Sequence, residues 1–593
     1  MFKWTIFLVI SVVIFVLGIA FAVLTAKRAQ RKRVYIQSFH VVFIAAFLSL
    51  TVLFYPVFFE IHKEKDVGGL VSLFVAMQST LQVFSINADF SIMADGLAGE
   101  MGLAAGVYSL FASFLYVLAP ILTFGFILSF FQNLSSYRRY LLGFKKDVFV
   151  FSRLTNRSLS LARSERQKYG RRFTLIFTDI SPSNDDISSE LLEEARLLGA
   201  VFFRKDILAV RFDWHSRNAE MNFFVMGSDE SEKMGQVLEL HRRFEKRPRT
   251  NLYFFSSEKG SELLLAGKRG SIKLRRVDEI RTLVYKTLDE YGTMLFDQAV
   301  ETAGERKITA AILGLGQYGS EMLKALTWFS QMDGYRIEIH AFDESRAPEA
   351  SLRMSCPELL DETHNGVDIP GEAQYDIHFH SGVDIASLDL VEVLETLKKV
   401  TYVFVALGSD ELNIETAVNL RIWVKRFGCE PLIHAVVHSS EKQKSLVGLR
   451  NAKDEEYGIA FIGDMSTIYS DAAVINSELE NRALQRHMKW GDEEAFWAFE
   501  YNYRSSMASI IHKKMREHCR IPGEKKAQEE RTPAEHEAYR MLEHRRWNAY
   551  VRSEGWMYSG SVERSSRCDL TKTHNLLVPF GSLPEEERVK DDD

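Results

Sequence analysis

Cysteine is scarce in this 593-residue chain: Cys356, Cys429, Cys519 and Cys568 lie far apart, with no CxxC pair. That excludes a disulfide scaffold, argues against a thiolate zinc site and fits a reducing compartment. There is no HExxH, GxSxG or Walker sequence, so no catalytic residue and no metal ligand is expected. A basic excess is also missing. The 73 Lys and Arg against 79 Asp and Glu leave a net charge of −6, which excludes bulk nucleic-acid binding by positive charge. With 46% hydrophobic and 26% charged residues, the chain is not wholly disordered. Its length calls for at least three or four units.

Charge itself is scarce in the first quarter. Residues 1–146 carry 12 basic and 6 acidic side chains, and the remaining share of the net charge is −12. Residues 4–26, 34–59 (His40 aside) and 101–137 are uncharged and apolar. Each is long enough to cross a bilayer, which takes roughly 20 residues. Lys27, Arg28, Arg31, Lys32 and Arg33 follow the first stretch; Arg138, Arg139, Lys145 and Lys146 follow the last. The positive-inside rule puts both clusters in the cytoplasm and the N-terminus outside. A cleaved signal peptide over 1–26 would instead leave five basic residues outside.

Residues 67–88 form a fourth uncharged run, but a polar one. A full crossing there would break the charge parity, so a re-entrant segment is expected, buried in protein or beside a watery path. Its candidate pore residues are Thr80, Gln82, Ser85 and Asn87. The last three segments resemble the helix, pore loop and helix of potassium-channel-like pores, which implies a homotetramer around one path. Residues 80–87 contain no glycine, unlike the Thr-Val-Gly-Tyr-Gly filter, so the resemblance does not extend to potassium selectivity. The segment 60–100 has six acidic residues, Glu60, Glu64, Asp66, Asp89, Asp95 and Glu100, against Lys63 and Lys65. That balance favours cations.

After Lys146, short apolar strands alternate with amphipathic helices, as in βαβ units with a parallel sheet. The pattern occurs twice. The segments 147-DVFVFS-152, 173-FTLIFTD-179 and 223-FFVMGSDESEK-233 match 308-ITAAILG-314, 337-IEIHAFD-343 and 403-VFVALGSDELN-413. A tandem duplication is expected. The second copy holds Gly314-Leu-Gly316-Gln-Tyr-Gly319 after a strand, with Asp343 24 residues beyond Gly319. This matches the dinucleotide fingerprint: glycines for a tight turn and close approach, helix amides for phosphate, and an acid for ribose hydroxyls; the alternative is a Rossmann-like fold that keeps its glycines for packing alone. The first copy has Ser152-Arg-Leu-Thr-Asn-Arg-Ser158 instead, and no standard dinucleotide is expected there. His378, His380, His434 and His438 read as histidines of the fold, the first two sharing a strand face with no evident partner carboxylate.

The Gly314–Gly319 loop, Asp343, 382-GVD-384 and 407-LGSDELN-413 resemble the RCK (regulator of potassium conductance), or TrkA-N-like, family over roughly residues 147–475. The resemblance implies a cytosolic assembly that pulls on pore helices when ligand binds. It implies NAD(H) or another adenine nucleotide as cofactor, held by Gly314, Gly316, Gly319, Asp343 and Asp384. The alternative for this region is an NAD(P)-dependent oxidoreductase, which needs a placed acid or base.

Residues 465–530 read as helices, with Trp490, Phe496 and Trp497 in a core and 523–531 exposed. Beyond them stand 543-EHRRWNAY-550, 554-EGWMYSG-560 and 571-TKTHNLLVPFGSLPEEER-588. These resemble the RyR domain, the repeat named after ryanodine receptors, with Asn575 replacing a frequent proline. The resemblance implies ligand sensing in signalling or defence. Trp547, Trp556, Tyr558 and Phe580 are expected to wall a pocket edged by Arg545, Arg546, Lys572 and His574, suited to a flat base with phosphates; the same aromatics can also form a small core.

The expected architecture is an α-helical membrane domain of three spans plus a re-entrant loop (1–146). Two Rossmann-like α/β domains (147–300 and 301–475), a helical connector (476–530) and a small, mostly helical RyR domain (531–593) follow. The expected function is a ligand-gated, multi-pass channel of the cytoplasmic membrane, sensing a small nucleotide-like ligand and touching no nucleic acid. Its rival is a membrane-anchored receptor without conductance.

Overall fold

The computed structural model describes the chain apart from residues 1–3, 29–33, 64–67, 86, 88–90, 99, 101, 180–188, 259–271, 303, 362–371, 386, 398, 447–457, 561–566 and 592–593, and the side chains of 24–40 and 125–135. Of the residues used above to orient the spans and weigh the outer segment, Arg31, Lys32, Arg33, Glu64, Lys65, Asp66 and Asp89 lie outside it, as do the side chains of Lys27, Arg28 and His40. The chain forms two compact units, residues 1–155 with 171–223, and residues 156–170 with 224–593.

The first unit begins with helices α1 (Thr5–Arg28), α2 (Val34–Lys63), α3 (Gly69–Phe84), α4 (Ser91–Leu97) and α5 (Leu103–Leu142). Three of them, over Thr5–Val23, Val41–Lys63 and Leu103–Phe124, are long and apolar enough to cross a membrane. Helix α3 has 16 residues, about 24 Å at 1.5 Å per residue, short of a bilayer core of about 30 Å. Backbone polar groups in lipid must be satisfied internally, and side chains join helices where backbones approach closely. Ser11 and Ser49 exchange hydroxyl-to-carbonyl bonds of 2.8 and 3.0 Å between α1 and α2. A Cβ on Gly18 would lie 2.3 Å from that of Ala45. The Tyr108 hydroxyl donates to Leu53 O at 2.5 Å, joining α5 to α2.

Helix α5 continues as one 40-residue element to Leu142, with only residues 143–147 between it and strand β1 (Val148–Phe151). Strands β2 (Thr174–Thr178) and β3 (Val201–Phe203) add to β1 in parallel. The end of α5 is packed into this sheet region. Ser136 donates to Phe202 O at 2.5 Å. Tyr140 is buried, its ring stacked on His215 and edge-on to Phe203 and Phe212.

Strands β4 (Met221–Val225), β5 (Thr250–Phe255) and β6 (Ile272–Val277) complete the first sheet. The second sheet holds β7 (Val300–Thr302), β8 (Glu305–Leu313), β9 (Tyr335–Asp343), β10 (Asp376–Ser381), β11 (Tyr402–Val405), β12 (Leu432–Val436) and β13 (Ile459–Ile462). The strand orders are β3-β2-β1-β4-β5-β6 and β10-β9-β8-β11-β12-β13. Both follow the doubly wound 3-2-1-4-5-6 order, whose switch point beside the first strand opens a crevice for ligands. Strands buried on both faces read as continuous apolar runs, as in Ala310–Leu313 and Tyr402–Val405, all fully buried.

Beyond β13 the second unit is helical, with helices at Glu478–His487, Glu493–Ala498, Glu500–His518 and Pro533–Ser553, plus a two-strand pair, β14 (Met557–Tyr558) and β15 (Thr573–His574). Thr532 caps the helix Pro533–Ser553 in a capping box with Glu535 and Pro at its first position, a strong start signal. Of the aromatics expected in a core, Phe496 is buried but Trp490 is 56% exposed, lying against the His487 ring. Within 523–531, expected to be exposed, Glu524 is instead buried against Arg516.

Candidate functional site

The fingerprint loop follows β8 and enters the helix Gln317–Phe329. Its three glycines have three different reasons. Gly314 has φ +89°, and a Cβ there would meet Ala406 O at 2.4 Å. A Cβ on Gly319 would lie 1.8 Å from Gly314 O, so the helix packs on the loop only without one. Gly316 has φ −60°, and a Cβ there would meet nothing within 4 Å. No neighbour crowds that position, so the backbone is open to close approach by a ligand. Gly316 is also the N-cap and offers no side-chain cap, leaving the first helical amides open to an anion.

A cavity of about 530 Å³ opens here, lined by Gly314, Gly316, Asp343, Asp410 and His438 among others. Leu407, Leu412, Val436 and Ile385 provide apolar wall. Asp343 accepts from Leu315 N and Ser345 N, both at 2.8 Å. It fixes the loop while facing the cavity. No lysine or arginine is among the lining residues, so phosphate charge would have to be met by helix amides. Asp384, expected at the site, is exposed and is not part of this lining; its neighbour Ile385 is.

The first copy repeats the carboxylate but fills its surroundings. Leu154 N donates to Asp179 at 3.3 Å, as Leu315 N does to Asp343. Arg153 adds an ion pair of 3.0 Å to the same Asp179. The repeated GSDE tetrapeptide serves structure in both copies, with different residues. Asp229 caps one helix through Glu232 N, whereas Ser409 caps the other through Leu412 N. Asp410 then accepts from His438 N and Ser439 N at 2.8 and 2.9 Å.

In the C-terminal module, Trp547, Trp556 and His574 do come together. Their rings contact one another through His574, at 5.0 Å from Trp547 and 6.3 Å from Trp556. Tyr501 of the connector helix joins them, accepting from Trp547 Nε1 at 3.1 Å and packing on Trp556. Burial, then Arg567, push the His574 imidazole down to about 4. Phe580 is buried beside His544. Lys572 takes φ +48° and donates to Glu554 O at 3.0 Å. Tyr558 N donates to Glu358 at 2.6 Å. These contacts are those of a packed core, in which Lys572 holds the Glu554 carbonyl and Glu358 holds the Tyr558 backbone; Arg545 and Arg546, expected at a pocket edge, are instead buried in ion pairs with Asp333 and Glu543.

Among the pore candidates, Thr80 is buried and hydrogen-bonds Thr51 of α2 at 3.1 Å. Gln82, Ser85 and Asn87 are exposed.

Of the histidines, His434 is a buried fold residue, 3.1 Å from the Tyr402 hydroxyl. His378 does have a carboxylate nearby, contrary to the sequence reading: parallel pairing sets β10 beside β9 and brings Glu338 to 3.3 Å from His378, while His380 meets His340 at 3.0 Å. No protein-family model matches this chain, and no curated protein is similar to it.

Proposed function

We propose that the chain is a ligand-gated ion channel of the cytoplasmic membrane whose second α/β domain senses NAD(H) or another adenine nucleotide. One observation carries the reading: Gly316 faces open space at an uncapped helix N-terminus beside a cavity that Asp343 also lines, which gives a phosphate and a ribose room to sit together. The glycine loop and helix amides would hold phosphate, and Asp343 the ribose hydroxyls. With Asp343 and Glu344 both lining the cavity, a 2′-hydroxyl suits it better than a 2′-phosphate. Helix α5 supports coupling, since it runs from an apolar span into the packed contacts of Tyr140. In this reading α3 is the re-entrant segment, four chains surround the pore, and the aromatic C-terminal module, RyR-like in its residues, adds to sensing. A ligand gates only if it binds open and closed states differently.

A membrane-anchored receptor without conductance is the second reading, favoured by Thr80 turning into its own helix bundle. Full-length protein in liposomes tests both. Nucleotide-dependent ion flux supports the channel, and binding without flux supports the receptor. No nucleotide binding at millimolar concentration removes both.

A further inference from the structure

We propose that β9 and β10 carry a transition-metal site, made by Glu338, His340 and His378 and suited to Zn²⁺. In the parallel register His378 lies opposite His340 and Asp376 opposite Glu338. Side chains alternate along strands, so Glu338, His340, His378 and His380 share one face. One ligand atom from each of Glu338, His340 and His378 falls within 4.8 Å of the others. Glu338 Oε1 is 3.5 Å from His340 Nε2 and 3.3 Å from His378 Nε2. A tetrahedron with metal–ligand bonds of about 2.0–2.1 Å has edges of about 3.3–3.4 Å. Two of the three edges are therefore already in place, and His378, with its side chain 48% exposed, can rotate to close the third.

The neighbours are arranged as a metal site requires. His340 is only 4% exposed, and its buried Nε2 faces Glu338 Oε1 at 3.5 Å without a well-formed hydrogen bond. Its other nitrogen, Nδ1, lies 3.0 Å from His380 Nε2. If His340 donates there, Nε2 keeps a bare lone pair aimed at a carboxylate, an arrangement that a cation between them resolves. Hydrogen bonding of the second nitrogen is how metal-binding histidines are oriented. Lys307 takes the other oxygen, Oε2, of Glu338 and leaves Oε1 for the metal. Asp376 is occupied by Arg336. Two imidazoles and one carboxylate select a borderline first-row ion over Ca²⁺ or Mg²⁺, which want all-oxygen shells. The half-exposed His378 leaves the fourth position to water. The site lies on the strand that ends in Asp343 but does not depend on nucleotide binding.

The test uses full-length protein in detergent, stripped with chelator and without nucleotide, titrated with Co²⁺ and then Zn²⁺. One Co²⁺ per chain should bind at micromolar concentration with visible bands of a four- or five-coordinate N,O site, and Zn²⁺ should displace it. H378A, at an exposed position, should weaken binding by at least about 100-fold, and E338Q should abolish the visible bands. H380A, which removes only the orienting partner, should weaken binding by about 10–100-fold. Absence of stoichiometric Co²⁺ binding, or binding unchanged in both H378A and E338Q, overturns the site.

Discussion

Glu321 of the glycine-loop helix and Glu554 at the end of the helix Pro533–Ser553 share one guanidinium, that of Arg281, at 2.9 and 2.8 Å. Lys324 also pairs with Glu321, and Arg504 with Glu554. Burial alone would raise both carboxyls. Arg281, followed by Lys324, outweighs it, holding Glu554 down to about 2 and Glu321 below its ordinary value. The helix that would take the phosphate is thus tied electrostatically to the C-terminal module.

Removing Arg281 leaves two buried carboxylates short of their shared partner. R281M should destabilise the protein by about 3–5 kcal/mol, read as a lowered unfolding midpoint in detergent. Depressed carboxyl pKa values contribute stability above pH 4.5, lost as pH falls toward 2. This part of the acid dependence should shrink in the variant. An unchanged midpoint would show that the guanidinium is dispensable.

The three glycines should separate by substitution. G314A and G319A should each cost about 1–3 kcal/mol or more, since the added carbon meets backbone. G316A should leave the unfolding midpoint in place and weaken adenine-nucleotide binding at least tenfold. Equal nucleotide affinity in G316A and wild type, measured by calorimetry, would mean that nothing uses the cradle.

Mild acid should destabilise the folded chain through buried neutral histidines. Burial pushes His434 down to about 3 and His512 well below its ordinary value. The unfolded chain protonates these groups near pH 6.5. Their stability is therefore complete above pH 6.5 and lost as pH falls below it, by about 1.4 kcal/mol per pH unit per histidine. H434Q should flatten the pH dependence of the unfolding midpoint between pH 6 and 4. A slope equal to that of wild type would contradict this.

The junction behind α5 should be stiff. Y140A removes a fully buried ring and should cost about 3–5 kcal/mol. Two glycines inserted between Leu142 and Gly143 should preserve nucleotide binding and abolish nucleotide-dependent flux in liposomes. Retained flux would show that the signal does not pass along this helix.

Local and periodic features were legible in the chain. Long uncharged runs marked the spans, and the second-copy spacing located Gly314, Gly316, Gly319 and Asp343. Features set by strand pairing were not. Glu338 meets His378, 40 residues further on, only because β10 adds in parallel beside β9. Arg281 meets Glu554 across an even longer separation. Identical sequence does not fix identical roles, as GSDE caps its helix through Asp229 in one copy and Ser409 in the other. The aromatics of 547–580 were legible as a group, but their inward packing depends on Tyr501, which lies outside the motif.

Arg153 against Asp179 has a consequence for counting. The first α/β half keeps the aspartate of the second and occupies it with its own guanidinium, so in the proposed reading only the second half would exchange ligand. Saturation should therefore occur at one nucleotide per polypeptide, and any assembly of this chain should count subunits, not repeats, in its dose response.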